Sequence, residues 1–154
     1  MTKVLFVCLG NICRSPMAEA VFQRMVVDAG LEAEITVDSA GTSSYHVGER
    51  AHPGTRRVLA RHGIAYEGRA RQIRNSDVTG SDTFIVAMDQ DNVADLQRTF
   101  GEDLQVTRLL EYAQQTDIHD VPDPYYSDNF DLVYRLIEDG CRGLLTHIRL
   151  EQGV

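Results

Sequence analysis

The chain has 154 residues with 15 basic and 23 acidic side chains, a formal net charge of −8, and a hydrophobic content of 43%. That length suits one domain over residues 1–154, with a core that needs neither metal nor disulfide to hold it. The acidic balance argues against a nucleic-acid partner, because a phosphate backbone rewards basic faces, and no stretch is apolar for long enough to span a bilayer.

Residues Val4 to Cys8 are β-branched and aromatic and apolar on both faces, the pattern of a strand buried between two helical layers. The run is too brief for a secretory leader, and three sparse cysteines make a poor disulfide framework, so a cytoplasmic chain with reduced thiols is expected. After a turn, Pro16 opens a helix in which Met17, Ala20, Val21 and Met25 recur at helical spacing until Gly30. Ile35 to Val37 reads as a second strand, followed by a Gly/Ser loop over 41–48 and a helix from near Pro53 to Gly63. Thr83 to Met88 is a third strand, and Asp89 caps a helix that runs to about Phe100 ahead of Gly101. Val106 to Leu110 is the fourth strand. A last helix from about Ser127 buries a stripe of Phe130, Val133, Tyr134, Ile137, Cys141, Leu144, Leu145 and Ile148. Strands alternating with helices imply right-handed crossovers and a doubly wound, four-stranded parallel sheet flanked by helices, a three-layer α/β/α fold. Ligands of such sheets bind beyond the carboxyl ends of the strands, where the turn after Cys8 and the loop after Leu110 both lie.

The turn after the first strand places a cysteine, five residues and then Arg14-Ser15-Pro16. Gly10 permits a positive φ and Asn11 tolerates one. The N–H groups of Leu9, Gly10, Asn11, Ile12, Cys13, Arg14 and Ser15 can therefore curl inward as an anion nest, with a helix N-terminus behind them. Arg14 adds a planar fork suited to two equatorial oxygens of a phosphoryl group in transfer. The same positive surroundings favour the thiolate of Cys8, and Ser15 lies within reach to donate a hydrogen bond to that sulfur. No Gly-Lys-Ser/Thr follows, so this is not a nucleoside-triphosphate loop. Zinc fails on ligand count, and neither metal nor cofactor is expected. Cys13 is either a reversible disulfide partner that shields Cys8 or a loop cysteine that packs. The arginines at 69, 71 and 74 are candidates to assist the anion site.

A departing phenolate needs a proton, and hydrolysis of the intermediate needs a base. Asp123, clamped in Pro122-Asp123-Pro124, is the candidate for both, with Asp120 as the fallback. Leu9, Tyr45, Tyr125 and Tyr126 are candidates for the wall of an aromatic pocket, the alternative for the tyrosines being burial against neighbouring loops.

Five segments together resemble the low-molecular-weight protein tyrosine phosphatases: VLFVCLGNICRSPMAEAVF at the start, VDSAGTS at 37–43, ARQI at 70–73, Met88-Asp89, and DPYY at 123–126. The resemblance implies a metal-free phosphatase with a Cys8 nucleophile, an Arg14 phosphate clamp and an Asp123 general acid. It also implies that Asn11 and Ser39 join Ser15 in a hydrogen-bond network that shapes the loop. Its implied partners are phosphotyrosyl proteins or small aryl phosphates, and a monomer or weak dimer is expected. Two positions depart from the pattern: Gly68 stands where the family often carries a histidine, and Ser127-Asp128-Asn129 follows the tyrosines where a glycine is common. Related arsenate reductases need further cysteines that are absent here, and related arginine phosphatases tend to have threonine at the position of Ile12, whose apolar surface favours a phenyl ring. A phosphate-binding module without catalysis has no use for the Cys8, Arg14 and Asp123 set.

Overall fold

β1 (Thr2–Cys8) is the central strand of the molecule, and a computed structural model describes the whole chain, residues 1–154. It is followed by α1 (Arg14–Asp28), β2 (Ile35–Gly41), α2 (Pro53–Arg61), β3 (Thr83–Ala87), α3 (Gln90–Phe100), β4 (Thr107–Arg108), α4 (Pro124–Ser127) and α5 (Phe130–Gln152). The strands form one parallel sheet in the order β2-β1-β3-β4, with Cys8 opposite Gly41 and Val7 opposite Ala87. Side chains alternate across β1, as the period of two requires. Val4, Phe6 and Cys8 join the larger core with α1, α2 and α5, and Leu5 and Val7 join the smaller one with Val93 and Leu96 of α3. The result is the three-layer arrangement expected from the alternation of elements. Phe6 meets Phe22 of α1 edge to face, with ring centroids 5.6 Å apart. No helix is long and apolar enough to cross a membrane.

The boundaries depart from the sequence reading in four places. α1 starts at Arg14, two residues before Pro16, because proline is tolerated in a first turn whose N–H groups have no intrahelical partner. That shift puts Arg14 and Ser15 inside the helix rather than ahead of it. β2 continues through Asp38 and Ser39 to Gly41, since polar residues pair with β1 as readily as apolar ones do. β4 is only two residues long; Leu109 and Leu110, whose apolarity suggested strand, are buried in a 3-10 turn over Leu109–Tyr112. The helix expected from about Ser127 begins at Phe130 as α5, and the short α4 ahead of it ends at Ser127, because Asp128 takes a left-handed conformation with φ 59°. Asp128 thus supplies the backbone geometry for which a glycine is the usual residue.

α5 packs on the 109–112 turn through two glycines: an added Cβ at Gly140 would lie 2.6 Å from Leu109 Cγ, and one at Gly143 only 1.8 Å from the Tyr112 carbonyl oxygen. Backbone cannot yield as a flexible side chain does. Gly143→Ala should therefore destabilise the fold by about 1–3 kcal/mol, read as a lower thermal unfolding midpoint, even though alanine is the better helix former.

Candidate active site

Cys8 ends β1 and is nearly covered, at 3% exposure. Its sulfur accepts the Asn11 backbone N–H at 3.3 Å and lies 3.0 Å from the Ser15 hydroxyl. The positive φ of the loop falls on Asn11, at 57°, and Gly10 keeps a negative one. Gly10 is needed for room instead, because a Cβ there would come within 2.9 Å of His46 Cδ2. Asn11 clamps the loop through its side chain. Its Nδ2 donates to Ser15 Oγ at 2.7 Å and to Ser39 Oγ at 3.0 Å, and its Oδ1 accepts the Arg71 N–H at 3.0 Å. Since Ser15 Oγ already accepts from Asn11, its own proton is free for an ionised Cys8 sulfur. The side chains of Asn11 and Ser15 lie beneath the loop, whereas Leu9, Gly10, Ile12, Cys13 and Arg14 line the cavity beside Cys8.

Arg14 is 3% exposed, and one of its nitrogens is fully committed: Nη1 donates to Asp89 Oδ2 at 2.6 Å and to the Val121 carbonyl at 2.9 Å. Nη2 is 3.6 Å from Asp123 Oδ2, and the buried Nε has no hydrogen-bond partner. Burial opposes the charge, but Cys8, Asp89 and Asp123 outweigh it and hold the guanidinium above its ordinary pKa. The fork edge formed by Nε and Nη2 is thus charged and unsatisfied by other protein donors or acceptors except the more distant Asp123, the arrangement suited to an oxyanion.

Asp123 lines the cavity, and its Oδ1 accepts the Tyr125 N–H at 3.0 Å as the cap of α4. Asp120, the fallback acid, is engaged elsewhere, accepting from Gln90 N–H at 3.1 Å and Arg108 Nη1 at 3.2 Å. Tyr45, Tyr125 and Tyr126 line the cavity of about 380 Å³ and remain exposed at its rim, Tyr45 at 83%. They are linked by rings: Tyr45 stands against His46 at 4.7 Å, His46 against Tyr125 at 5.9 Å, and Tyr125 against Tyr126 at 5.2 Å. Ser39 stands under the loop and does not reach the cavity.

The arginines at 69, 71 and 74 do not line the cavity, contrary to the assistance expected of them. Arg71 is held by Asp38 at 2.8 Å and by Asp77 at 2.9 and 3.0 Å, and its contribution is the backbone N–H given to Asn11. Three residues of the site escaped the sequence reading. Asp89 was legible as a helix cap, accepting the Asn92 N–H at 2.8 Å, but its other oxygen takes Arg14. Val121 joins the same place, donating to the Met88 carbonyl at 2.9 Å while accepting from Arg14. His46 adjoins Tyr45 in sequence, the one available clue to its place in the cavity wall.

The fold and site define a cysteine-centred anion pocket at the carboxyl end of a parallel sheet. A model of the low molecular weight phosphotyrosine protein phosphatase family matches residues 3–153. The low molecular weight protein-tyrosine-phosphatase YfkJ of Bacillus subtilis is 46% identical over 155 residues, 99% of each chain. The YfkJ crystal structure superposes with a TM-score of 0.94 at 47% identity, over 98% of this chain and 96% of that one. A protein tyrosine phosphatase from Entamoeba histolytica gives a TM-score of 0.88 at 36% identity with 99% of each chain covered. DARP, a Drosophila arginine phosphatase, also gives 0.88, at 31% identity over 96% of this chain and 98% of that one. This chain belongs to the low molecular weight phosphotyrosine protein phosphatase family and is a phosphoric monoester hydrolase.

Cys8, Cys13 and Cys141 are all free and buried, but their surroundings differ. Burial first, then Cys8 and Asp123, push the Cys13 thiol up to about 12 against the opposing pull of Arg14, and burial pushes Cys141 higher still. A thiol with so raised a pKa is a poor nucleophile in the neutral range. Brief iodoacetamide treatment of the native enzyme at pH 7 should therefore label Cys8 and leave Cys13 and Cys141 unmodified, as peptide mass spectrometry would show.

Proposed function

We propose that residues 1–154 act as one catalytic domain that hydrolyses phosphotyrosine and other aryl phosphate monoesters through a phosphocysteine intermediate on Cys8. The observation that carries this reading is the Arg14 guanidinium, which lines the Cys8 cavity, is anchored by Asp89 and Val121 through Nη1 and is left with a buried, unpartnered Nε. A buried donor without a partner is costly unless a ligand satisfies it.

In the proposed reaction the Cys8 sulfur attacks phosphorus, a sulfur–phosphorus bond forms, and the bond to the ester oxygen breaks. Asp123 gives its proton to the departing phenolate oxygen. The loop N–H groups and the Nε/Nη2 edge of Arg14 hold the equatorial oxygens, over which the phosphoryl charge is spread and which move as the centre inverts. Asp123, now a base, takes a proton from water as that water attacks the phosphocysteine, and Ser15 donates to the sulfur as it leaves. Leu9, Ile12, Tyr45, Tyr125 and Tyr126 offer apolar and ring surface to a phenyl group, which a seryl phosphate lacks and for which a guanidinium is too polar. The natural partners in this reading are phosphotyrosyl proteins or small aryl phosphates in the cytoplasm, with no nucleic acid, membrane or metal taking part.

Phosphate release measured side by side on phosphotyrosyl, phosphoseryl and phosphoarginyl peptides should favour phosphotyrosine strongly; a preference for phosphoarginine would overturn the substrate class. Cys8→Ser should abolish turnover while phosphate still binds, and near-normal turnover would end the covalent mechanism. Asp123→Ala should slow phenyl-ester hydrolysis by about a hundredfold or more with little change in KM, whereas Asp120→Asn should stay within about twofold of the parent.

A further inference from the structure

The hydrogen-bond chain beneath the phosphate loop continues past Ser39. Ser39 Oγ accepts from Asn11 Nδ2 at 3.0 Å and passes its own single proton to Glu19 Oε1 at 2.5 Å. The same Oε1 accepts the Tyr66 phenol proton at 2.8 Å. Glu19 lies on α1, Ser39 on β2, and Tyr66 in the segment between α2 and β3, so three separate elements meet at one carboxylate oxygen.

The direction of every proton in this chain follows from counting donors. Asn11 Nδ2 carries two hydrogens and both go to hydroxyl oxygens, those of Ser15 and Ser39. Each hydroxyl then has one hydrogen left, which Ser15 directs to Cys8 and Ser39 directs to Glu19. The scheme holds only while Glu19 accepts. A protonated Glu19 aiming its hydrogen at Ser39 would take the second lone pair of that hydroxyl and leave the Ser39 proton without its acceptor, which would loosen the group that holds Asn11 and so orients Ser15.

Glu19 is under pressure to take that proton, because burial and the nearby Asp38 raise its pKa, while Ser39, Tyr66 and Arg71 oppose the rise. Tyr66 can reach it only because residue 68 is glycine: a Cβ there would lie 2.3 Å from the Tyr66 hydroxyl oxygen. The phenol therefore occupies the space that a side chain at 68 would need.

We propose that Tyr66 and Glu19 are positioning residues for the Cys8 nucleophile: Tyr66 keeps Glu19 an acceptor, and Glu19, through Ser39 and Asn11, fixes the Ser15 proton on the sulfur. This rests on the phosphocysteine reading above. The other charged or titratable groups facing the two ends are Asp38 and Arg71 at Glu19, and Arg14, Asp123 and Cys13 at Cys8, with His46, Tyr45, Tyr125 and Tyr126 lining the same cavity.

The test is the pH profile of Cys8 alkylation by iodoacetamide, together with kcat on an aryl phosphate, in the full-length enzyme. Tyr66→Phe keeps the ring that lines the groove beside α1 and removes only the hydroxyl. The alkylation midpoint and the acid limb of kcat/KM should both move up by about half to one pH unit, with kcat lower by about three- to tenfold. Glu19→Ala should shift the midpoint at least as far, and Tyr66→Phe added to it should cost nothing more, because Tyr66 acts through Glu19. A residue that only supports the fold would lower the unfolding temperature and leave the midpoint in place. An unmoved midpoint in Tyr66→Phe, or additive shifts in the double variant, overturns the proposal while the phosphocysteine reading stands. If the parent Cys8 itself reacts no faster at pH 7 than a free thiol, that reading fails and takes this one with it.

Discussion

Five residues must carry the chain from Cys8 at the end of β1 to Arg14 at the start of α1 around the Cys8 sulfur, and Asn11 is what holds them there. Its backbone takes the positive φ, its N–H meets the sulfur, and its side chain ties the loop to Ser15, Ser39 and the backbone of Arg71. Those partners lie on three different elements, so the shape of a short loop is referred to the rigid parallel sheet beneath it. A left-handed asparagine would be strained alone, and the hydrogen bonds offset that cost.

The electrostatics of the pocket follow from the same economy. The chain carries a net charge of −8, so nothing at long range draws an anion in. Affinity has to be local, and it is concentrated in one buried arginine held by carboxylates on two loops. Asp89 fixes Arg14 from the end of β3 as it caps α3, and Asp123 stands across the cavity as it caps α4. Each acid thus serves helix geometry and the site at once, which ties the orientation of the guanidinium to the placement of two helices. The cysteines show the converse. Cys8 meets an amide and a hydroxyl, whereas burial, Cys8 and Asp123 push the Cys13 thiol, five residues on, above its ordinary pKa against the pull of Arg14.

Much of this was legible along the chain. Strand and helix periodicities gave the order of elements and the parallel sheet, since apolar spacing reports directly on which faces are buried. The Cys8 to Ser15 segment stood out as a candidate site because all its parts are neighbours in sequence, and the Pro-Asp-Pro clamp made Asp123 a candidate for the same reason. Element ends were read less well. The apolar pair Leu109-Leu110 belongs to a turn packed on glycines of α5, and Asp38-Ser39 belongs to a strand although both are polar. In each case a contact from a distant part of the chain overrode the local pattern.

Sequence alone determined the layered fold and pointed to Cys8, the loop to Ser15 and Asp123 as the candidate site, because each depends on residues close together or on a regular period. Only the tertiary structure decided that Asp89 and Val121 anchor Arg14, that His46 joins the wall beside Tyr45, and that Tyr66 fills the space left by Gly68 to reach Glu19. Arg14 and Asp89 are 75 residues apart, and Glu19 and Tyr66 are 47. Such pairs are set by strand register and by the path of loops, neither of which leaves a mark at either position when it is read by itself.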